Sequence, residues 1–372
     1  MIRGWLTSVS CALLLLMSGA PASASASASA SASASAENPP SSLKVMTRNL
    51  YLGADLAPVF TAGSPQALVA AVTTAFAGVR ATNFPERAKA LADEIAGTDP
   101  HLVGLQEAVL WRSQTPAQPG SATHVEYDFL QILIDELALR GKHYAAVATV
   151  TLGDYEAPRS TPSGLQDIRL TDRDVLLART DLPAKVFRVD HPQAQQFTAR
   201  VTLNNPVLGP IVIPQGWVAA DATVRGRTTR VVSTHLEPRS SAVQQAQAAE
   251  LLAGPLDTAL PTVLLGDLNS AAGGVGAVPG RTDTPTHGQL LAAGFRDAWT
   301  AGHHTDPGFT CCQAADLRNT TSTLGQRIDY VLTRHGLTPL TSNLVGARPA
   351  DRTPSGLWPS DHAGVWSLLR IH

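Results

Sequence analysis

Thr262-Val263-Leu264-Leu265-Gly266-Asp267-Leu268-Asn269 is a short apolar run that stops on a glycine and then presents an acid and an amide. Four other stretches share that pattern. Lys44-Val45-Met46-Thr47 runs into Arg48 and Asn49, and His101-Leu102-Val103-Gly104-Leu105 runs into Gln106 and Glu107. Val231-Val232-Ser233-Thr234 runs into His235, and Ile328-Asp329-Tyr330-Val331-Leu332 carries Asp329 inside it. Runs of this length and composition read as strands, and they place their terminal polar residues along one rim of a sheet.

Helical patterns lie between the strands. Arg87 to Ile95, Phe129 to Leu139 and Val243 to Leu252 space apolar residues at three and four, the second of them stopped by Gly141. The section from Lys185 to Arg230 is rich in consecutive, hairpin-like strands, which argues against a purely parallel sheet. An α/β sandwich of two mixed β-sheets with helices outside fits this order.

The first residues set a compartment. Arg3, the apolar run Ala12 to Met17 and the small residues Gly19-Ala20-Pro21-Ala22 describe a secretory signal peptide. The run falls far short of the roughly 20 residues of a membrane-spanning helix. The Ser-Ala repeat to Ala36 has no charge and no large apolar residue, so it cannot bury enough surface to offset its ordering entropy. Residues 1–36 are therefore read as signal peptide and low-complexity leader, and residues 43–372 as a single catalytic domain of a secreted protein. Formal charge is −2 and no Lys/Arg stripe marks an electrostatic nucleic-acid footprint, which weakens a DNA reading without excluding it. With Cys11 in the leader, only the adjacent pair Cys311-Cys312 remains, and neither has a distant partner for a loop-closing disulfide.

Singly, each polar block has an ordinary reading. Glu107 suits a surface carboxylate, Gly266 to Asn269 a turn, His235 a packed core histidine, and Ser360-Asp361-His362 the loop that opens a last strand. Their combined order changes the inference. Asn49, Gln106-Glu107, Thr234-His235-Leu236, Gly266-Asp267-Leu268-Asn269, Arg327-Ile328-Asp329-Tyr330 and Ser360-Asp361-His362 closely resemble, block by block, the endonuclease/exonuclease/phosphatase superfamily. That superfamily includes DNase I, neutral sphingomyelinases, deadenylases and inositol polyphosphate 5-phosphatases, and the resemblance runs from Lys44 nearly to the C-terminus.

The resemblance implies a DNase I-like, four-layer α/β sandwich and a Mg²⁺-dependent phosphodiesterase, with Mn²⁺ or Ca²⁺ as alternative ions. It makes Glu107 the main metal ligand, with Asn49 and Asp361 contributing directly or through water. Asp267 would orient or deprotonate the attacking water, Asn269 would hydrogen-bond the phosphate, and Asp329 would partner His362 as base or electrostatic clamp. His235, in its Ser-Thr-His-Leu context, resembles the nuclease, sphingomyelinase and 5-phosphatase branches rather than abasic-site endonucleases. Such chemistry needs a metal to neutralise phosphate charge, a positioned nucleophile and a proton for the leaving oxygen.

Some residues depart from the family pattern. Asp174 stands where many relatives have a glycine, and reads as a strand-edge carboxylate paired with Arg173 or Arg179. Cys311 and Cys312 stand where relatives often place pocket-lining aromatics, and read either as small buried residues or as a vicinal disulfide stiffening the wall. Arg48, Tyr51 and Asp55 suit substrate positioning, Asp55 equally a helix cap. The expected substrate is a phosphodiester, in nucleic acid or a lipid headgroup, and the expected enzyme a monomer without a stable protein partner. A lipid substrate calls for exposed apolar residues, whereas Trp217 and Trp366 fall in strand-like patterns. The alternative, a phosphomonoesterase on sugar or inositol phosphates, needs a basic pocket, for which Arg225, Arg227, Arg230 and Arg239 are candidates. A non-catalytic binding module of the same fold would lack a ligand or the Asp329–His362 pair, and neither is missing.

Overall fold

All five apolar runs form strands in the computed structural model, which describes residues 41–118, 120–271, 284–303 and 305–372. The expected leader lies outside those residues. Strand β1 (Ser42–Asn49) leads to a helical turn α1 (Ala57–Phe60) and the helices α2 (Pro65–Ala81) and α3 (Phe84–Thr98). Next come β2 (Leu102–Gln106), β3 (Leu110–Gln114), β4 (His124–Asp128) and α4 (Phe129–Leu139). A long ribbon follows, made of β5 (Tyr144–Thr161) and β6 (Gly164–Arg179). The strand-rich section is β7 (Phe187–Gln196), the hairpin of β8 (Val201–Asn205) and β9 (Gly209–Ile213), β10 (Gly216–Val224) and β11 (Arg227–His235). Then follow α5 (Ser241–Ala253), β12 (Thr262–Asp267), α6 (Thr286–Ala292) and β13 (Arg296–Asp297). Strands β14 (Asp329–Arg334), β15 (Leu337–Val345) and β16 (Gly364–Ile371) close the order.

Local chemistry accounts for the helix ends. Ser64, Asp128 and Ser240 each accept a backbone N–H of the first turn, starting α2, α4 and α5. Gly141, at φ +68, ends α4 where its left-handed backbone is cheapest for a residue without Cβ. Sequence periodicity did not single out α2, because its alanines, valines and threonines carry no charge before Arg80 to mark a polar face.

One sheet has the order β15-β16-β1-β2-β6-β3-β4, with β5 on β6, and the other has β13-β14-β12-β11-β10-β7. Each contains one parallel pair, β1–β2 and β11–β12, among antiparallel neighbours. Both sheets are therefore mixed, and the expected four-layer arrangement holds. Met46, Val103 and Leu105 face helices α2 to α4 on one side, while Val232, Leu264 and Leu332 face α5 and α6 on the other. Between the sheets, Val45, Leu102 and Leu176 meet Val218, Val231 and Leu265. At Gly104 the sheets come so close that a Cβ would lie 2.3 Å from the Ser233 hydroxyl oxygen. Any larger residue there would push the layers apart.

His101 shows how burial constrains charge in this frame. Its Nδ1 accepts the Lys44 N–H at 3.0 Å and its ring packs against Phe187. Burial, then the Arg179 and Lys44 cations, pushes its pKa down to about 4. The unfolded chain takes up this proton near pH 6.5, at about the free value, so the histidine's contribution is intact above that pH and is lost as pH falls toward the folded value. His101→Asn keeps an acceptor for the Lys44 N–H and cannot titrate. Between pH 6.5 and 4 the wild type is expected to lose up to about 3 kcal/mol more than this variant in urea melts; parallel pH profiles would show that His101 is not the titrating group.

Candidate active site

Strand register builds the site. In the parallel pair β1–β2, Asn49 lies opposite Gln106, one residue before Glu107. In the other sheet His235 lies opposite Asp267 across β11–β12, and Asp267 opposite Asp329 across β12–β14. Three functional side chains thus stand abreast on adjacent strands. Gly266 makes this possible: its φ is +142 and a Cβ there would lie 1.9 Å from the Thr234 carbonyl oxygen. Glu107 and Asn269 also have positive φ, at 55 and 48, a region that non-glycine residues enter at some cost and that often marks functional positions.

Asp267 is the meeting point of the two sheets. Its Oδ2 accepts the Asn49 amide at 3.3 Å, and the Nε2 atoms of His235 and His362 stand 3.6 and 3.8 Å away. Its Oδ1 accepts the Asn269 backbone N–H at 2.9 Å. His362 is held from behind, with Nδ1 2.9 Å from the Asp329 carboxylate, so Nε2 is the ring nitrogen that faces the cleft. Burial opposes its positive charge, but Asp329, Asp361 and Asp267 outweigh it and lift the pKa to about 10. His235 is likewise raised: burial again opposes, and Asp267 and Asp174 lead the carboxylates that prevail.

Glu107 and Asp361 line the same cleft, whose volume is about 400 Å³. Glu107 is aimed by two donors, the Leu52 N–H at 2.7 Å and the Asn49 amide at 3.1 Å. Burial and the neighbouring Glu107 charge raise the Asp361 pKa to about 6 against the pull of His362. Recessed carboxylates in the cleft lining, with an amide beside Glu107, fit a hard divalent cation. Glu107 and Asp361 would hold it. Asn49 accepts the Tyr51 N–H on its Oδ1 and donates its amide to Glu107 and Asp267, which orients the carboxylates and leaves the second lone pair of Oδ1 open to the ion or one of its waters.

Two buried arginines hold these groups in register. Arg48 forms a two-point ion pair with Glu94 and donates to the His362 carbonyl. Arg87 donates to the carbonyls of Leu50, Tyr51, Thr82 and Pro359 at 2.7 to 3.0 Å. Arg48 therefore faces away from substrate and works as scaffold, and Arg87 was not legible as a site residue in its helical pattern. Tyr51 donates its hydroxyl to the Ala315 carbonyl, and Asp55 accepts the Ala57 N–H in a local turn just ahead of α1, whose N-cap position is Leu56.

Several sequence expectations are corrected by the structure. Asp174 is not a strand-edge carboxylate: β6 lies inside the sheet between β2 and β3, and Asp174 is fully buried. Arg173 pairs with Asp128, and Arg179 with Asp99 and Asp181, so neither answers Asp174. Its carboxyl shares the inter-sheet face with Asp172, and burial holds it well above the usual range. Asp172 reaches the cleft and is raised to about 6 by burial and Glu107. The period-two spacing Asp172-Arg173-Asp174 was the available signal for this acidic face.

The arginine candidates for a basic pocket do not converge. Arg225 and Arg227 lie at the β10–β11 turn, roughly 25 Å along the strand from His235, and Arg230 pairs with Asp221. Arg239 alone of the four lines the cleft. Asn269 also lines it, with its amide donating to the Leu236 carbonyl at 2.9 Å, which ties the His235 and Asp267 loops together. Cys311 and Cys312 are joined as a vicinal disulfide; Cys311 is buried against Ala271 and Ile328, and Cys312 forms part of the cleft wall. Trp217 and Trp366 lie in β10 and β16, as their patterns indicated.

A profile described as the Endonuclease/Exonuclease/phosphatase family matches residues 76–362, which span Glu107, His235, Asp267, Asp329 and His362. An endonuclease/exonuclease/phosphatase family protein from Bacteroides thetaiotaomicron superposes with a TM-score of 0.54 at 14% identity, over 90% of this chain and 100% of that one. Another from Bacteroides vulgatus gives 0.50 at 14% identity, over 89% and 99%. At such identities the likeness shows the fold. No curated protein matches the sequence.

The Asp329–His362 pair makes a prediction independent of any reaction. Asp329→Asn removes the charge nearest the ring while keeping its shape. The His362 pKa, followed by imidazole proton NMR, is expected to fall by more than about one unit. A titration unmoved by the substitution would remove Asp329 as the source of the shift.

Proposed function

The chain belongs to the Endonuclease/Exonuclease/phosphatase family, and from that premise we propose that it is an exported, Mg²⁺-dependent phosphodiesterase working as a monomer. Members of this family hydrolyse phosphoesters, generally with a divalent metal. The observation that carries the finer reading is the approach of two histidine Nε2 atoms to Asp267 Oδ2, beside the recessed Glu107 and Asp361. Mg²⁺ is favoured because the donors are hard oxygens and two carboxylates, Glu107 and Asp361, are assigned to it, which suits an ion that keeps several waters. Export is supported by the signal-like leader.

Bound at Glu107 and Asp361, the ion supplies charge neutralisation to the phosphate. The protein does the rest. His362, anchored through Nδ1, donates from Nε2 to a non-bridging phosphate oxygen. Asp267 orients the attacking water and accepts its proton as the new oxygen–phosphorus bond forms. His235 gives a proton to the leaving oxygen as the old phosphorus–oxygen bond breaks. Asn269 lies close enough to the cleft to hydrogen-bond the phosphate. A diester is favoured over a terminal phosphate because the basic residues that a doubly charged group requires are spread away from the site.

Hydrolysis of bis-p-nitrophenyl phosphate, plasmid DNA and sphingomyelin, assayed side by side with Mg²⁺, tests this reading. At least one is expected to be cleaved, with activity lost in EDTA. Asp267→Asn, His362→Ala and His235→Ala should each lower turnover by about 10²–10⁴-fold with the fold intact by circular dichroism. Glu107→Gln should raise the Mg²⁺ concentration needed for half-maximal rate. Normal activity in any of the first three variants would make its assigned role wrong.

A further inference from the structure

A second hollow, of about 330 Å³, lies beside the catalytic cleft. Val72 and Phe76 of α2, Trp111 of β3, Ile168 and Leu170 of β6 and Ile211 of β9 line it, so four sequence-distant elements build one apolar wall with the cleft's own edge. Leu56, Phe60, Tyr155 and Leu170 belong to the linings of both cavities. Phe60 and Tyr155 form an edge-to-face pair at this shared boundary, with ring centroids 5.5 Å apart. Asn205, buried, fixes the β8–β9 hairpin in place by donating to the carbonyls of Phe60 and Ala62 and accepting the N–H groups of Val207 and Leu208. The chamber is thus built into the fold.

Its chemistry is one-sided. The polar groups in the lining are already engaged. Asp154 accepts from Arg169 and Thr171, and Glu156 from the Ala122 N–H. Tyr155 donates to the Val212 carbonyl, and the Trp111 indole N–H to that of Leu52. A nucleobase is recognised by hydrogen bonds to its edges as well as by stacking, and this wall offers no such set; its two carboxylates also disfavour a polyanion. At the mouth the surface stays apolar, with Leu208 44% and Val212 39% exposed. The volume is at the lower end for small-molecule sites, enough for one flexible chain.

We propose that this chamber binds a single hydrocarbon chain carried by the substrate, so that the phosphodiester cleaved in the cleft is amphiphilic, of the lipid type. The inference rests on the phosphodiesterase reading above and names its substrate class. Contact between the two linings gives the geometry: a chain that crosses the Phe60–Tyr155 boundary leaves its phosphate on the Glu107, Asp267 and Asp361 side.

The test uses the full chain with Mg²⁺ and a series of p-nitrophenyl alkyl phosphates from ethyl to decyl, with thymidine p-nitrophenyl phosphate alongside. The value of kcat/KM is expected to rise roughly three- to fourfold per added methylene until the chamber is full, mainly through KM. Leu208→Glu at the exposed rim and Ala75→Leu, which narrows the interior, should flatten that rise and leave the ethyl ester unaffected. The rim variant carries the test if the interior one fails to fold. A flat series with the ethyl ester cleaved overturns the chamber's role while leaving the phosphodiesterase intact, and preference for the thymidine ester over the octyl ester assigns the site to a base and overturns it as well. If no ester is cleaved, the catalytic reading fails by itself. The chamber is then judged by calorimetry, where octyl phosphate must bind more tightly than ethyl phosphate; equal affinities overturn the inference.

Discussion

Two guanidinium groups removed from water hold this molecule's working edge together. Arg48 and Arg87 are fully buried, and an uncompensated buried charge costs several kcal/mol. That cost sets strict conditions on the surroundings. Arg87 is met by four carbonyls from the end of β1, the α2–α3 junction and Pro359, and Arg48 by Glu94 and the His362 carbonyl. The residues tied together are neighbours of Asn49, Asp361 and His362. Displacing any of these loops would leave a buried cation unpaired, so the register of the site is bound to the stability of the fold.

The same logic extends across the sandwich. Neither sheet contains the site; each brings part of it to the rim, and Asp267 joins them through Asn49. Positive φ at Tyr51, Glu107 and Asn269 places backbone cost where strands turn into the cleft. Glu107, Asp361, Asp172 and Asp174 then crowd negative charge between and at the ends of the sheets, and burial raises three of them, Asp361, Asp172 and Asp174. Two histidines held toward their charged forms are the protein's own answer to that charge. A divalent cation on Glu107 and Asp361 would be the other.

Next to this polar end lies an apolar chamber, whose boundary with the cleft is shared by Leu56, Phe60, Tyr155 and Leu170. In the proposed reading, placing the two side by side joins phosphate chemistry to apolar recognition. The β8–β9 hairpin, outside both main sheets, makes the arrangement possible because it covers ground that the sandwich itself leaves open.

Much of the site was legible in the residue order. Strands that end in Asn49, His235 and Asp267 or one residue before Glu107, and Asp329 at the start of another, announce a rim, because a period of two and β-branched composition act locally. Helix α4 was readable to its Gly141 stop because apolar spacing of three and four is an equally local signal. Asp174 was misread because local pattern says which face a residue takes, but not whether its strand has neighbours on both sides; β6 pairs with β2, β3 and β5, which lie far from it or turn back on it. Arg225, Arg227 and Arg230 are close to His235 in sequence, yet an extended strand carries the first two away from it. Sequence determined which groups the protein owns and the ends of the elements that present them. Long-range pairing and burial decided which of those groups meet, which charges lose their water, and where an apolar chamber opens, since those outcomes depend on contacts that no local stretch contains.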